Sequence, residues 1–153
     1  MRGYIIQIAE TENQPVLSVR TKTSVENLPN IVGELFGSIA RYIAANGDEP
    51  FGPAFIAYYN LDVENLEVEI GFPVAREMEG KAEIKRGYIP AGKKAIGFHK
   101  GSYRELSSLY DRMTSWLKER GLTPAGIVYE YYFNSPGEIP ESELLTKVEF
   151  LLN

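Results

Sequence analysis

The sequence predicts an α+β fold: a tandem βαββ repeat whose antiparallel strands form a sheet, with two helices on one face and a ligand groove on the other. Three observations carry this expectation. The 153 residues suit one domain, with 44% hydrophobic and 24% charged residues. Two amphipathic stretches with helical spacing are each preceded by one strand-like run and followed by two. The halves, about residues 1–75 and 84–153, pass through the same order, so 1–153 reads as one domain built from two pseudo-repeats.

In the first half a strand-like run covers residues 16–20. A helix is expected over about 24–45, because Leu28, Ile31, Val32, Leu35, Ile39, Tyr42 and Ile43 recur at three- and four-residue steps and share a face. A turn at 46–50 leads to strands at 52–59 and 66–73. In the second half a strand at 94–99 precedes a helix over about 103–120, whose apolar face carries Leu106, Leu109, Tyr110, Met113, Trp116 and Leu117. Ser102 with Glu105 fits a capping box, and Gly121 with Pro124 beyond it marks a helix stop. Strands follow at 126–133 and 145–150. Residues 84–88 extend as a short strand with the role that residues 4–9 play in the first half. The apolar stripes are core, and Trp116 anchors its helix on the sheet. One helix covers only one face of each small sheet, which leaves a concave face for a groove between the copies.

Composition excludes several functions. Net charge is −5, which argues against direct nucleic-acid contact, since that rests on clustered Lys and Arg. Lys85, Arg86, Lys93, Lys94 and Lys100 are broken up by Gly and Pro and read as solvated turns. Without cysteine there is no disulfide, thiolate nucleophile or zinc–cysteine site, and no cofactor or metal is expected. The first ten residues are too short in apolar character for a secretory signal, and no stretch approaches a membrane span, so the expected location is cytoplasmic. The unusual number is aromatic content: ten Tyr, seven Phe and one Trp, 12% of the chain, in keeping with a lined pocket or with strand filler.

The repeat breaks at one informative place. Aligning Gly52 with Gly126 pairs Phe55 with Tyr129, Ile56 with Glu130 and Tyr58 with Tyr132. Alternation puts Val128, Glu130 and Tyr132 on one face and Tyr129, Tyr131 and Phe133 on the other. A carboxylate inside so apolar a strand is costly to bury alone. It either reaches water or sits in a pocket where a cation or donor meets it and where desolvation raises its pKa. His99, the single histidine, reads as structural or surface, because no G-x-S-x-G elbow accompanies it. Glu67 and Glu69 alternate with Val68 and Ile70 as on a strand with one wet face. The glycines match neither a P-loop nor a dinucleotide fingerprint.

The runs at 89–103 (IPAGKKAIGFHKGSY), 116–121 (WLKERG) and 129–136 (YEYYFNSP), followed by Leu144-Leu145-Thr146, resemble the GyrI-like small-molecule-binding domains. These also form the effector-binding half of some AraC-type and MerR-type transcription regulators. The similarity covers essentially the whole chain. It implies pseudo-twofold symmetry and a central groove for hydrophobic, often cationic, compounds, as in multidrug binding. An acidic residue on the late central strand, here Glu130, meets the ligand, and Tyr103 tends to face the groove. Some stand-alone members act as hydrolases of electrophilic cyclopropane compounds and others protect DNA gyrase. No helix-turn-helix is present, so a stand-alone form is expected.

Three functions follow. In the first, the protein binds a hydrophobic cation without catalysis, Glu130 neutralising the charge, Tyr58, Tyr103 and Tyr132 supplying aromatic faces, and Ile56 lining the opposite side. In the second, it is a hydrolase with Glu130 as catalytic base or nucleophile and a Tyr hydroxyl polarising the leaving group. In the third, it serves a protein partner, a regulator or a topoisomerase. The mismatch of Ile56 and Glu130 gives a groove with one charged end, which should bind its ligand in one orientation.

Overall fold

The computed structural model describes residues 4–153. In chain order the elements are β1 (Ile6–Thr11), β2 (Gln14–Thr23), α1 (Leu28–Ala45), β3 (Ala54–Tyr58), β4 (Leu66–Pro73), β5 (Lys85–Ile89), β6 (Gly92–Lys100), α2 (Leu106–Glu119), β7 (Pro124–Tyr132) and β8 (Leu145–Leu152). A 3-10 turn, Tyr103–Glu105, leads into α2, and another, Glu141–Glu143, precedes β8. The fold is α+β, and both expected helices form.

The chain divides into two compact units, one holding residues 1–11 and 92–153 and the other 12–91. Each contains the expected βαββ order: β6-α2-β7-β8 in the first and β2-α1-β3-β4 in the second. Each gains a fourth strand from across the repeat boundary. The segment expected to serve the first half, β1, pairs with β6, Ala9 opposite Lys94. The segment expected to serve the second half, β5, pairs with β2, Gly87 opposite Val16. Alternation identifies a strand locally, whereas its partner is chosen by long-range pairing. The strand orders are thus β1-β6-β8-β7 and β5-β2-β4-β3, antiparallel throughout.

In the first unit, α2 buries Leu106, Leu109, Met113 and Leu117 against Ala95, Val148 and Phe150. Gly97 lets the helix approach β6: a Cβ there would lie 2.9 Å from Leu109 Cδ1 and 3.0 Å from Met113 Sδ. Trp116 is half-buried against this core, with the Arg120 guanidinium 3.9 Å above its ring. Gly121 takes φ +67°, the left-handed conformation that ends α2. The Ser102 hydroxyl caps as expected, but onto the Arg104 amide at 3.1 Å, and Glu105 answers through its backbone N–H to the Ser102 carbonyl. In the second unit, Ile39 and Ile43 of α1 pack with Leu17, Val19, Val74, Met78 and Ile84.

Candidate functional site

The site begins with a parity. Val148 and Phe150 lie beneath α2, and across β8 they stand opposite Glu130 and Val128 of β7. The same alternation that buries Val128 therefore brings Glu130 and Tyr132 to the helix-bearing face of this unit, and not to the face opposite the helix where a groove was expected.

There Glu130 is 8% exposed. One carboxylate oxygen, Oε2, accepts from the Tyr110 hydroxyl of α2. The other, Oε1, accepts from the Tyr132 hydroxyl at 2.5 Å. Burial pushes the carboxyl pKa up, and the two hydroxyl donors pull partly against it. Among the described residues Glu130 forms no ion pair. Tyr103, 39% exposed, sets its ring edge-on to Tyr132 with centroids 5.9 Å apart. Partial burial and then the Glu130 charge push its hydroxyl pKa up. Tyr110 also packs on Phe150 at 5.7 Å, which ties this donor to the core.

Two neighbours complete the surroundings on the same face. Thr146 stands opposite Tyr132 on one side and His99 on the other. Its Oγ1 is buried without a hydrogen-bond partner among the described residues. His99 is fully buried; Nε2 lies 3.0 Å from the Ser102 carbonyl and Nδ1 3.2 Å from the Tyr4 hydroxyl. A carbonyl only accepts, so Nε2 donates to Ser102. The histidine thereby fixes the corner that presents Tyr103.

The structure brings together Glu130, Tyr132 and Tyr103 of the expected set. Ile56 and Tyr58 lie on β3 of the other unit. There Ile56 opposes Ile70, and Tyr58 opposes Val68, as Glu130 opposes Val148 and Tyr132 opposes Thr146. The equivalence of Ile56 and Glu130 is thus one of strand register as well as sequence. Tyr110 was missed as a site residue because helical spacing assigned it to the core stripe. Its hydroxyl was the available signal, since a buried Tyr needs a polar partner.

Two more buried carboxylates lie on the helix-free faces. Glu69 is buried and not on a wet strand face: its oxygens accept from Ser18 at 2.6 Å and Tyr59 at 2.5 Å. Glu149 accepts from Tyr131 at 2.8 Å and lies 3.7 Å from the Lys94 amine and 3.8 Å from that of Lys147. Lys94 is therefore no solvated turn residue but 2% exposed, and burial pushes its pKa down against the pull of Glu149. Among the described residues no group of three or more His, Asp or Glu could hold a metal ion, and no helix is long and apolar enough to cross a membrane.

The chain has structural relatives at low sequence identity. In an EcmrR–DNA complex within EcmrR-RPo, the EcmrR chain superposes with a TM-score of 0.84 at 19% identity, over 98% of this chain and 57% of that one. The EcmrR C-terminal domain alone gives 0.75 at 18% identity, with 98% of both chains covered. A hydrolase from Listeria innocua gives 0.72 at 14% identity, covering 97% and 91%. SAV2435 bound to tetraphenylphosphonium gives 0.65 at 6% identity, covering 97% and 94%. No curated protein matches the sequence significantly. The GyrI-like small molecule binding domain matches residues 6–152, and the chain belongs to that family.

Proposed function

We propose that the protein binds a hydrophobic organic cation, with Glu130 as its countercharge and Tyr103 and Tyr132 as aromatic contacts. The carrying observation is a buried carboxylate that meets two tyrosine hydroxyls and no cation among the described residues, beside the half-exposed ring of Tyr103. Buried Glu149, by contrast, has two, Lys94 at 3.7 Å and Lys147 at 3.8 Å, while buried Glu69 shares the lack of one but accepts from Ser18 and Tyr59 on the helix-free face. Leaving an ionised group unpaired in an apolar setting costs free energy, and an incoming cation recovers it. Edge-on Tyr rings beside the carboxylate provide faces for cation–π attraction. The phosphonium complex of SAV2435 fits this reading.

The hydrolase reading is weaker. A general base must take a proton from water, and the tyrosine hydroxyls on both Glu130 oxygens withdraw basicity from it. Titration calorimetry with tetraphenylphosphonium and with neutral triphenylphosphine oxide tests the proposal. The cation should bind at least about tenfold tighter, as an unscreened carboxylate a few ångströms away requires. Equal affinities would remove Glu130 as the countercharge, and turnover of an electrophilic cyclopropane that is lost in Glu130→Gln would favour the hydrolase.

A further inference from the structure

We propose a second ligand site on the helix-free face of the first unit, formed by Lys147 with Phe98 and Phe133 and suited to a small aromatic carboxylate. It lies across the sheet from Glu130 and is independent of the countercharge reading. Val148 and Phe150 pack beneath α2, so the alternate residues of β8, Lys147 and Glu149, point to the other face. Lys147 stands there between Phe98 of β6 and Tyr131 of β7. Among the described residues, the strands of this face carry three lysines, Lys94, Lys100 and Lys147, and one carboxylate, Glu149. Lys100 is matched by Glu143, from the turn before β8, at 2.9 Å. Glu149 is left to serve both other amines, Lys94 at 3.7 Å and Lys147 at 3.8 Å, so this group keeps one positive charge in excess. Both separations are ion pairs too long for a hydrogen bond.

The two amines differ in access. Lys94 is closed off, whereas Lys147 keeps 25% of its side chain open to solvent. Its amine sits 4.3 Å from the centre of the Tyr131 ring, and Tyr131 is buried and stacked on Tyr129, so the charge is held in place from below. Beside it, Phe98 and Phe133 are 43% and 44% exposed, with ring centroids 6.3 Å apart. Two touching aromatic side chains left in water offer apolar surface to a flat ligand. An aryl ring laid on them would bury that surface, while its carboxylate accepts from Lys147 and supplies the missing negative charge. A neutral aromatic gains only the first of these, and a cationic one meets the excess positive charge.

NMR titration of the isotope-labelled protein with 2-naphthoate and with neutral 2-naphthamide, which share the ring system, tests the site. Naphthoate should shift the backbone resonances of Phe98, Lys147 and Phe133 and bind about fivefold or more tighter than naphthamide. In Lys147→Gln its affinity should fall to that of naphthamide. If that variant fails to fold, Phe133→Ser, at an exposed position, should weaken both compounds severalfold. Equal affinities of the two compounds in the parent overturn the proposal. So do a naphthoate affinity unaltered in the folded variants, shifts confined to Tyr103, Tyr110 and Glu130, or no saturable shift up to about 10 mM.

Discussion

Replacing Glu130 by Gln should weaken the protein's ligand binding and strengthen its fold at the same time. Burial raises the carboxyl pKa. An acid with a higher pKa in the folded than in the unfolded state binds protons better when folded, so stability falls as pH rises through that interval. The amide keeps the shape and can still meet both tyrosine hydroxyls, but it carries no charge to desolvate. The variant should therefore melt at a higher temperature than the parent near neutral pH, with the gap closing as acid protonates Glu130. For binding, a cation centre about 5 Å from the carboxylate at an effective dielectric of about 20 gains about 3 kcal/mol. Glu130→Gln should thus lose about 100-fold in tetraphenylphosphonium affinity. The parent's affinity should also fall as pH drops below the raised pKa, approaching about tenfold per pH unit, and the variant's should not. Calorimetric titrations and thermal melts across about pH 5 to 8 read both effects. A variant that melts lower and binds within about twofold of the parent would refute the reasoning on both counts.

Other substitutions test the surroundings. Thr146→Val removes a buried hydroxyl without a partner and keeps the volume, so it should raise stability by up to about 1 kcal/mol; a fall in Tm would mean that the hydroxyl is satisfied by bound water. Gly97→Val drives side-chain atoms into Leu109 and Met113 and should cost about 1–3 kcal/mol by denaturant titration. Tyr131→Phe strips Glu149 of its 2.8 Å donor and should cost about 1–3 kcal/mol, while tetraphenylphosphonium affinity stays at the parent's value because Tyr131 lies on the helix-free face. Ile56→Glu places a second carboxylate in the equivalent register of the other unit, at a buried position opposite Ile70; it should cost about 3 kcal/mol or more in chemical denaturation.

How far the sequence reveals the fold depends on the range of the interactions that decide each feature. Helices α1 and α2 were legible because their apolar spacing is local, and the βαββ order because it repeats. The partners of β1 and β5 were not, since a strand's alternation shows its face and not its neighbour. The face of the sheet that carries Glu130 was also hidden. It follows from Val128 and its cross-strand partner Phe150 packing under α2, a pairing that no single segment encodes. Lys94 illustrates the same gap: beside Lys93 and two glycines it looks like part of a solvated turn, and only the buried Glu149 two strand positions away explains it.

The three buried carboxylates explain why one of them is the candidate and the others are not. Of the three only Glu130 reads from the sequence as a carboxylate inside an apolar strand; Glu69 reads as part of a wet face, and residue type alone does not rank them. Glu69 takes two hydroxyl donors, from Ser18 and Tyr59, on a face without a helix. Glu149 is compensated by Lys94, Lys147 and Tyr131, which closes its electrostatic account within the unit. Glu130 alone combines a raised pKa, no cationic partner among the described residues and a half-exposed aromatic beside its hydroxyl donor. Stability by itself would favour an uncharged residue at this position, as Ile56 occupies its equivalent in the other unit. A charge at a position where the repeat carries an aliphatic side chain is what the proposed role of Glu130 as a countercharge accounts for.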